Sequence, residues 1–386
     1  MRLAFCTSLL PTGNPDTGFE IANGCILEAL RQAGCDVTLF GFLRQDETQA
    51  PSDGSVIMGR MVIENAVASQ TQKLRWLLDS LTLDLPVIAT KLATFGEARL
   101  RALLAQHGPF DGYIINSAPV AAAFPWLLQD NPAILVAHNV EHASARENAA
   151  TAGWLTGLLY RREARLLHRS ELQALGDARF IWCLSEEDRQ GFGVDIEAKS
   201  AVMPLLVPIT SVPVQSETTY DVGLIGTWTW QPNLVGLQWF LDAVMPYLPH
   251  DISVAVAGRL PAGVKARHGQ VNLLGRVPDA SIFLNSVRTV ALTSRSGTGI
   301  QLKTIETFQM GKPTVATPSS IRGLSQLPRN CLVADDAKGF AAALTKLVRD
   351  VASGRTQPVD GQAFTDDQKR GMKEAIRCGL DALGQG

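Results

Sequence analysis

Short apolar runs alternate along the chain with longer stretches whose apolar residues recur every three or four positions. That pattern predicts an α/β protein with strands and helices in turn. Residues 3–7 read as a strand, followed by the loop LLPTGNPDTG and an amphipathic helix from about 19 to 32. Gly34 ends that helix, and 36–41 make the next strand. Strand, glycine loop, helix and strand in this order begin a doubly wound parallel sheet. The loop is not a P-loop, because no Gly-Lys-Ser/Thr follows, and it lacks the spacing of a dinucleotide fingerprint. It is either a tight turn at the sheet edge or part of a ligand site at the carboxyl ends of the strands. Helical patterns at 70–81 and 92–106 lead to apolar runs at 113–116 and 134–138. Each run ends in polar residues, as buried parallel strands do. A long arginine-rich helical region, 154–175, precedes a strand at 180–184. Ser185 to Asp188 then has the form of a capping box with Asp in place of Glu.

Pro204, Pro208 and Pro213 mark a linker. The pattern then restarts, with strands at 222–226, 253–258, 271–274, 290–293, 314–317 and 332–334. Helices are expected at 233–245, 279–286, 300–310, 337–351 and 364–383. A chain of 386 residues exceeds what one core usually holds. The expected division is therefore 1–208, 209–360 and a terminal segment 361–386. The economical arrangement is two similar Rossmann-like domains facing across a cleft.

Composition changes this picture little. The chain is 46% hydrophobic and 19% charged with a formal net charge of −2, so nothing global points to nucleic acid. Six scattered cysteines without a CxxC pair read as reduced thiols of a cytosolic protein. No window reaches the roughly 18 apolar residues of a membrane span. The start, MRLAFCTSLLPTG, is broken by Thr7, Ser8 and Pro11 and fits a first strand better than a signal peptide.

The chemistry concentrates in residues 294–317, SRSGTGIQLKTIETFQMGKPTVAT. A loop of small residues, including Gly297, Thr298 and Gly299, feeds a helix that begins near Ile300. Lys303 and Glu306 share a face of that helix. A helix start offers free N–H groups and a positive dipole end to a phosphate. A lysine adds a point charge, and a carboxylate accepts from sugar hydroxyls. The outline is that of a nucleotide diphosphate site, and no cofactor is expected.

The ordered set GFEIANGCILEALRQAGCDVTLF, HNVEH, a helix with Arg162, Glu163 and Glu171, CLSEEDRQGF, GTWTWQPNLVGLQWF, AGRLP, LLGRVPD and GTGIQLKTIETFQMGKPTVAT resembles the retaining GT-B glycosyltransferases of the group 1 (family 4) type. Bacterial polysaccharide-biosynthesis enzymes are among these. The resemblance runs over most of residues 1–350 and implies transfer of a hexose from a UDP- or GDP-sugar to a glycan or lipid-linked saccharide. It implies that Glu306 holds the donor ribose, that Lys303 and Arg259 meet its phosphates, and that His138 lies near the donor sugar. By the same resemblance Gly226 to Trp230, with Thr227 and Trp230, faces the diphosphate, while Arg276 and Val277 lie near the base. Gly18 closes the facing loop of the amino-terminal domain, and the terminal helix returns toward that domain.

Two departures stand out. Thr298 occupies the first of two positions where relatives often carry glutamates eight apart, so a hydroxyl and backbone N–H groups stand in for a carboxylate. TWTWQPN lacks the paired Arg and Lys that some relatives carry after the first strand of this domain. More of the phosphate charge then falls on Lys303, Arg259 and Arg295.

Each candidate has a plainer reading. Lys303 and Glu306 could be a solvated surface pair, which would contribute little. His138 could be a core histidine satisfied by loop carbonyls, rather than a general base or acceptor-positioning group. His138, Glu141 and His142 lack the spacing of HExxH and show no third ligand, so no metal is expected. Trp228 and Trp230 line the site or simply pack. Residues 154–169 form either a solvated basic helix face or a patch that meets anionic lipid at the inner membrane. Two rival functions remain, a sugar-nucleotide epimerase and a non-catalytic nucleotide-sugar-binding protein.

Overall fold

The apolar runs of the first half pair side by side as parallel strands. The computed structural model describes all residues except 13–16, 63–67, 152, 210–217, 298, 325 and 385–386, and only the backbone at 148, 151, 155, 194 and 195. In chain order the elements are β1 (Arg2–Thr7), α1 (Gly18–Gln32), β2 (Asp36–Arg44), β3 (Ser55–Met61), α2 (Gln70–Leu83), α3 (Val87–Ala93), α4 (Glu97–His107), β4 (Gly112–Asn116), α5 (Ala118–Ala123), α6 (Trp126–Gln129), β5 (Ala133–Ala137), α7 (Glu141–Thr151), α8 (Trp154–Asp177), β6 (Phe180–Cys183), α9 (Glu186–Gly191) and β7 (Ser200–Val202). The sheet order is β3-β2-β1-β4-β5-β6-β7. Its strands are parallel, with Leu3 of β1 opposite Val37 of β2 and Gly112 of β4. Core residues such as Phe5, Phe40, Ile115, Leu135 and Trp182 are almost wholly buried.

The second sheet begins after the proline-rich segment. It is built from β8 (Tyr220–Ile225), α10 (Gln231–Trp239), β9 (Val254–Ala257), β10 (Val271–Gly275), α11 (Ala280–Asn285), β11 (Val287–Leu292), α12 (Leu302–Gln309), β12 (Thr314–Ala316), β13 (Cys331–Val333), α13 (Ala337–Ala352) and α14 (Gln362–Gly384). Its order is β10-β9-β8-β11-β12-β13. In both sheets the chain winds outward in two directions from a central pair. These pairs are β1 and β4 in the first sheet, and β8 and β11 in the second. Such switch points open a crevice at the carboxyl ends of the strands, where ligands bind in folds of this kind.

Residues Met1–Pro204 and Arg370–Gly386 form one compact unit, and Leu205–Lys369 the other. The last helix joins the first unit through Trp182, whose indole N–H donates to the Ala375 carbonyl at 2.8 Å. Gly379 lies against that ring, where an added Cβ would come within 2.5 Å of it.

Several elements depart from the pattern reading. The helix expected over 92–106 is two helices, because Gly96 at φ +88° breaks the chain and starts α4. The helix expected over 233–245 keeps its direction but loosens into a π-helical turn at Phe240–Val244. At Ser185 the hydroxyl accepts from the Asp188 N–H at 3.0 Å, while the Asp188 carboxylate bonds back to that hydroxyl rather than to the Ser185 N–H. β3, β7 and α5 to α7 are short or lack amphipathic spacing, and periodicity does not reveal them.

Candidate active site

In the second unit, the loop after β8 and the loop after β11 emerge side by side at the switch point. Gly258, after β9, comes close enough that an added Cβ would lie 1.9 Å from the Gly226 carbonyl, and its φ is +115°. The loop at 293–301 needs left-handed backbone at Gly297 and Gly299, with φ +104° and +81°. Residues after β12 hold it in place. Ser320 Oγ accepts from the Ser294 N–H at 2.9 Å, Thr317 donates to the Ser294 carbonyl, and Arg322 donates to the Gly297 carbonyl at 3.0 Å. The helix α12 that follows begins at Gln301 with no side-chain cap. Among the described residues the Leu302 and Lys303 N–H groups have no acceptor, while the Thr304 N–H donates to the Gln301 carbonyl at 2.9 Å.

Lys303 stands in the first turn of α12. Its ammonium donates to Asn233 Oδ1 at 3.0 Å and lies 5.7 Å from the centre of the Trp228 ring. Asn233, in turn, donates to the Thr227 carbonyl at 3.1 Å. One amide thus ties the lysine to the loop after β8. Burial pushes the Lys303 pKa down to about 8. Lys303 is half-buried and tethered to Asn233, unlike a lysine free on a solvated face.

Glu306, one turn further on, points toward α11 and accepts from Ser281 Oγ at 3.4 Å. Burial raises its carboxyl to about 7, with the Asp279 charge adding to the rise. No Lys303–Glu306 ion pair forms among the described residues. The two groups serve different neighbours, the loops after β8 and after β10. Arg276 and Val277 belong to the second of these loops, with Arg276 exposed and Val277 packed on the apolar cluster beneath.

The remaining candidates of this unit are unevenly placed. Trp230 is half exposed beside Gly297. Trp228 is buried, its indole N–H donating to the Ala257 carbonyl at 2.8 Å, so it is a floor beneath the lysine rather than an open lining. Arg295 donates to Asp335 and lies 4.7 Å over the Trp239 ring, so its charge is already engaged. The Arg259 side chain is exposed, while its backbone carbonyl accepts from the Trp228 N–H. Gly299 is buried and Ile300 half-buried at the helix entrance. Thr298 lies outside the described residues.

In the first unit a neutral constellation occupies the corresponding edge. Thr7 ends β1, Asn116 ends β4 and His138 follows β5. Asn23 reaches them from α1. Asn116 donates to Thr7 Oγ1 at 3.1 Å and to Asn23 Oδ1 at 2.6 Å, and its own Oδ1 lies 2.8 Å from His138 Nε2. Phe19 packs on the imidazole with ring centres 4.8 Å apart. Burial lowers the His138 pKa to about 4, so the ring is neutral at physiological pH. Gly18 opens α1, exposed, beside a capping box of Thr17 and Glu20. Glu20 is buried and bound to Arg44 at 2.7 Å.

HNVEH holds a second polar cluster. Glu171 on α8 accepts the Glu141 N–H at 2.7 Å and His142 Nδ1–H at 2.5 Å. His168 joins them, and one ligand atom from each of His142, His168 and Glu171 lies within 4.8 Å of the others. This third group was invisible at the spacing of HNVEH. Both Glu171 oxygens already accept hydrogen bonds that pin the start of α7, so the carboxylate has a structural task.

Residues 219–350 match the family model described as glycosyl transferases group 1. The carboxy-terminal unit is a group 1 glycosyltransferase domain. Across the whole chain, the fold is GT-B, the fold of known glycosyltransferases built from two Rossmann-like domains. Sucrose-phosphate synthase from Thermosynechococcus elongatus superposes with a TM-score of 0.67 at 15% identity, covering 100% of this chain and 97% of that one. HepE of Anabaena, solved in complex with UDP, gives 0.62 at 14% identity over 99% and 100% of the two chains. WaaG, a glycosyltransferase involved in lipopolysaccharide biosynthesis, gives 0.60 at 14% identity over 100% of both. No curated protein sequence matches the chain. Within the glycosyltransferase domain, Asn233 and Ser281 are the residues sequence reasoning missed. Asn233 stands 70 positions from Lys303, and nothing local marks it.

Proposed function

We propose that the chain is a retaining hexosyltransferase that moves a sugar from a UDP- or GDP-linked donor to a glycan or lipid-linked saccharide. The observation that carries this reading is Lys303, a desolvated ammonium on an uncapped helix start at the switch point. The reaction separates a sugar with oxocarbenium character from a departing diphosphate. Charge grows on the phosphate oxygens, and Lys303 with the N–H groups of α12 stabilises it, without a metal. Glu306, as carboxylate, accepts from the ribose hydroxyls. No protein nucleophile is required, since the acceptor attacks on the face the diphosphate leaves and a phosphate oxygen takes its proton. The complexes of HepE with UDP, and with UDP and glucose, support a uridine donor.

The setting we propose is the cytoplasm, with six free thiols and contact with anionic lipid at the inner membrane face. Leu74, Leu78 and Leu81 form an exposed stripe on α2, and Trp154 and Leu158 are exposed at the start of α8, Trp154 at 77%. Arg162 donates to Ser80, and Arg169 binds Asp84 at 2.7 Å, so the two helices present these side chains together. Arg161 and Arg165 add exposed charge. Apolar side chains beside arginines suit the headgroup region of an anionic bilayer. Such a surface fits a lipid-linked acceptor in polysaccharide assembly.

A panel of UDP- and GDP-sugars, read first by thermal shift and then by transfer to saccharide acceptors, tests the function. A ligand that binds only the folded state adds about 2.7 kcal/mol at 100 times its dissociation constant. Stabilisation by one nucleotide sugar, followed by acceptor-dependent loss of that donor with its anomeric configuration kept, is the expected result. Donor turnover without acceptor points to an epimerase instead.

A further inference from the structure

The first sheet has a second opening, at the amino ends of β4 and β5. There a crevice of about 500 Å³ lies between α4 and α6. That volume falls within the roughly 300–1,000 Å³ that takes a small ligand. Phe110, Tyr113 and Trp126 give it aromatic walls, and Arg101 and Asn131 stand at its sides. Hydrogen bonds made elsewhere hold these walls in place. Arg2 donates to the His107 and Pro109 carbonyls at 3.0 and 3.2 Å, which fixes the loop that carries Phe110. Arg101 lies 3.8 Å over the Trp126 ring and donates to Glu97 and Asp130 at 2.8 and 2.9 Å. Asn131 Nδ2 donates to the Trp126 and Leu127 carbonyls at 3.2 and 3.3 Å, closing the end of α6. Three polar atoms of the lining residues have no hydrogen-bond partner among the described residues: Tyr113 Oη, Asn131 Oδ1 and Trp126 Nε1. The indole nitrogen is buried as well, and a buried donor left unpaired is costly.

We propose that this crevice is a binding site for a neutral saccharide of one or two rings, held between the aromatic walls with its hydroxyls on Tyr113, Asn131 and Trp126. Aromatic faces carry negative charge density that attracts the polarised C–H groups of a pyranose. Sugar hydroxyls both donate and accept, so they suit a phenol, an amide oxygen and an indole N–H together. An anion suits the crevice poorly, because Glu97 and Asp130 already pair with Arg101 and would repel it. An acyl chain would cover the walls and leave all three polar atoms unpaired. Tyr113 and Asn116 stand near opposite ends of β4, so a saccharide held here is bound away from the edge where Asn116 and His138 lie. The site lies wholly within the first unit and does not depend on the transferase reading.

Fluorine spectra of the full chain labelled with 5-fluorotryptophan test the site, with Trp126→Phe identifying the signal. The probes are glucose, galactose, mannose, maltose, cellobiose and lactose, with adenosine and octanoate as competitors of other chemistry. We expect at least one of the saccharides to move the Trp126 signal saturably at millimolar concentration. Tyr113→Phe removes a hydroxyl from a ring that keeps its packing, and it should weaken that binding about fivefold. Three results overturn the proposal: no saccharide moves the signal, adenosine or octanoate binds more tightly than every saccharide, or folded Tyr113→Phe binds as the parent does. Should the variant not fold, the titration of the parent protein still decides. No nucleotide sugar enters the experiment, so its failure is distinct from a failure of the transferase reading.

Discussion

The two sheet edges solve opposite problems with the same topology. At the β8/β11 switch point the protein removes charges from water and leaves them incompletely matched. Lys303 has an amide as its hydrogen-bond partner, and Glu306 has a hydroxyl. At the β1/β4 switch point it buries only neutral polar groups, and every amide hydrogen that matters is assigned. A mismatched charge is costly when the site is empty, and a ligand of opposite charge relieves that cost. A satisfied neutral network has little to gain from a ligand. In the transferase reading we propose, the first edge serves binding strength and charge, and the second serves orientation.

That contrast predicts unequal losses. Lys303→Ala should have the largest effect, lowering kcat by about 100- to 1,000-fold, the range typical of one lost contact to developing charge. Single-turnover assays with saturating donor, alongside a melting curve, check it. Near-normal turnover in the folded variant would remove the charged edge from the chemistry. Glu306→Ala should follow, with about a tenfold rise in the donor KM as a charge-assisted hydrogen bond to the ribose is lost. An unchanged KM would place the ribose elsewhere. Asn233→Ala should cost less, about fivefold, because Lys303 keeps its charge and loses only its tether.

The pH dependence sharpens the same comparison. Glu306 must be ionised and Lys303 protonated. The free protein's kcat/KM should therefore rise with pH through about 7 and fall through about 8. Lys303→Ala should abolish the alkaline limb. A bound diphosphate favours the ammonium, so the alkaline limb in kcat should move to higher pH. The neutral edge adds no limb of its own, since His138 titrates near 4. The smallest effect concerns the floor of the charged edge. Trp228→Phe removes one buried hydrogen bond to the Ala257 carbonyl and should cost about 1 kcal/mol of stability with little change in kcat.

These edges were also unequally legible in the sequence. Residues 294–317 carry the charged edge almost contiguously, and glycine, lysine and glutamate there fall at spacings with a known physical meaning. Asn233 escaped notice because an asparagine at a helix start usually serves a turn. The neutral edge draws on Thr7, Asn23, Asn116 and His138 from four separate elements, and Thr7 and Asn116 stand 109 positions apart. Single polar residues at strand ends look alike until the register of β1, β4 and β5 brings their side chains together. Most long strands and helices were readable from periodicity. The failures came where a glycine interrupts an apolar pattern, as at Gly96, or where small residues erase it, as along α7.

Trp182 gives the chain an order of assembly. Its indole N–H is satisfied by Ala375, 193 residues later. A ribosome delivers β6 long before it delivers that carbonyl, and the whole second sheet must emerge in between. During this interval the first sheet lacks the helix that covers Trp182 and, through Leu383, Gly112. A nascent chain therefore carries an unfinished amino-terminal core until α14 has been made. Chains cut short before α14 should be captured by chaperones or proteases even though both sheets have been synthesised in full.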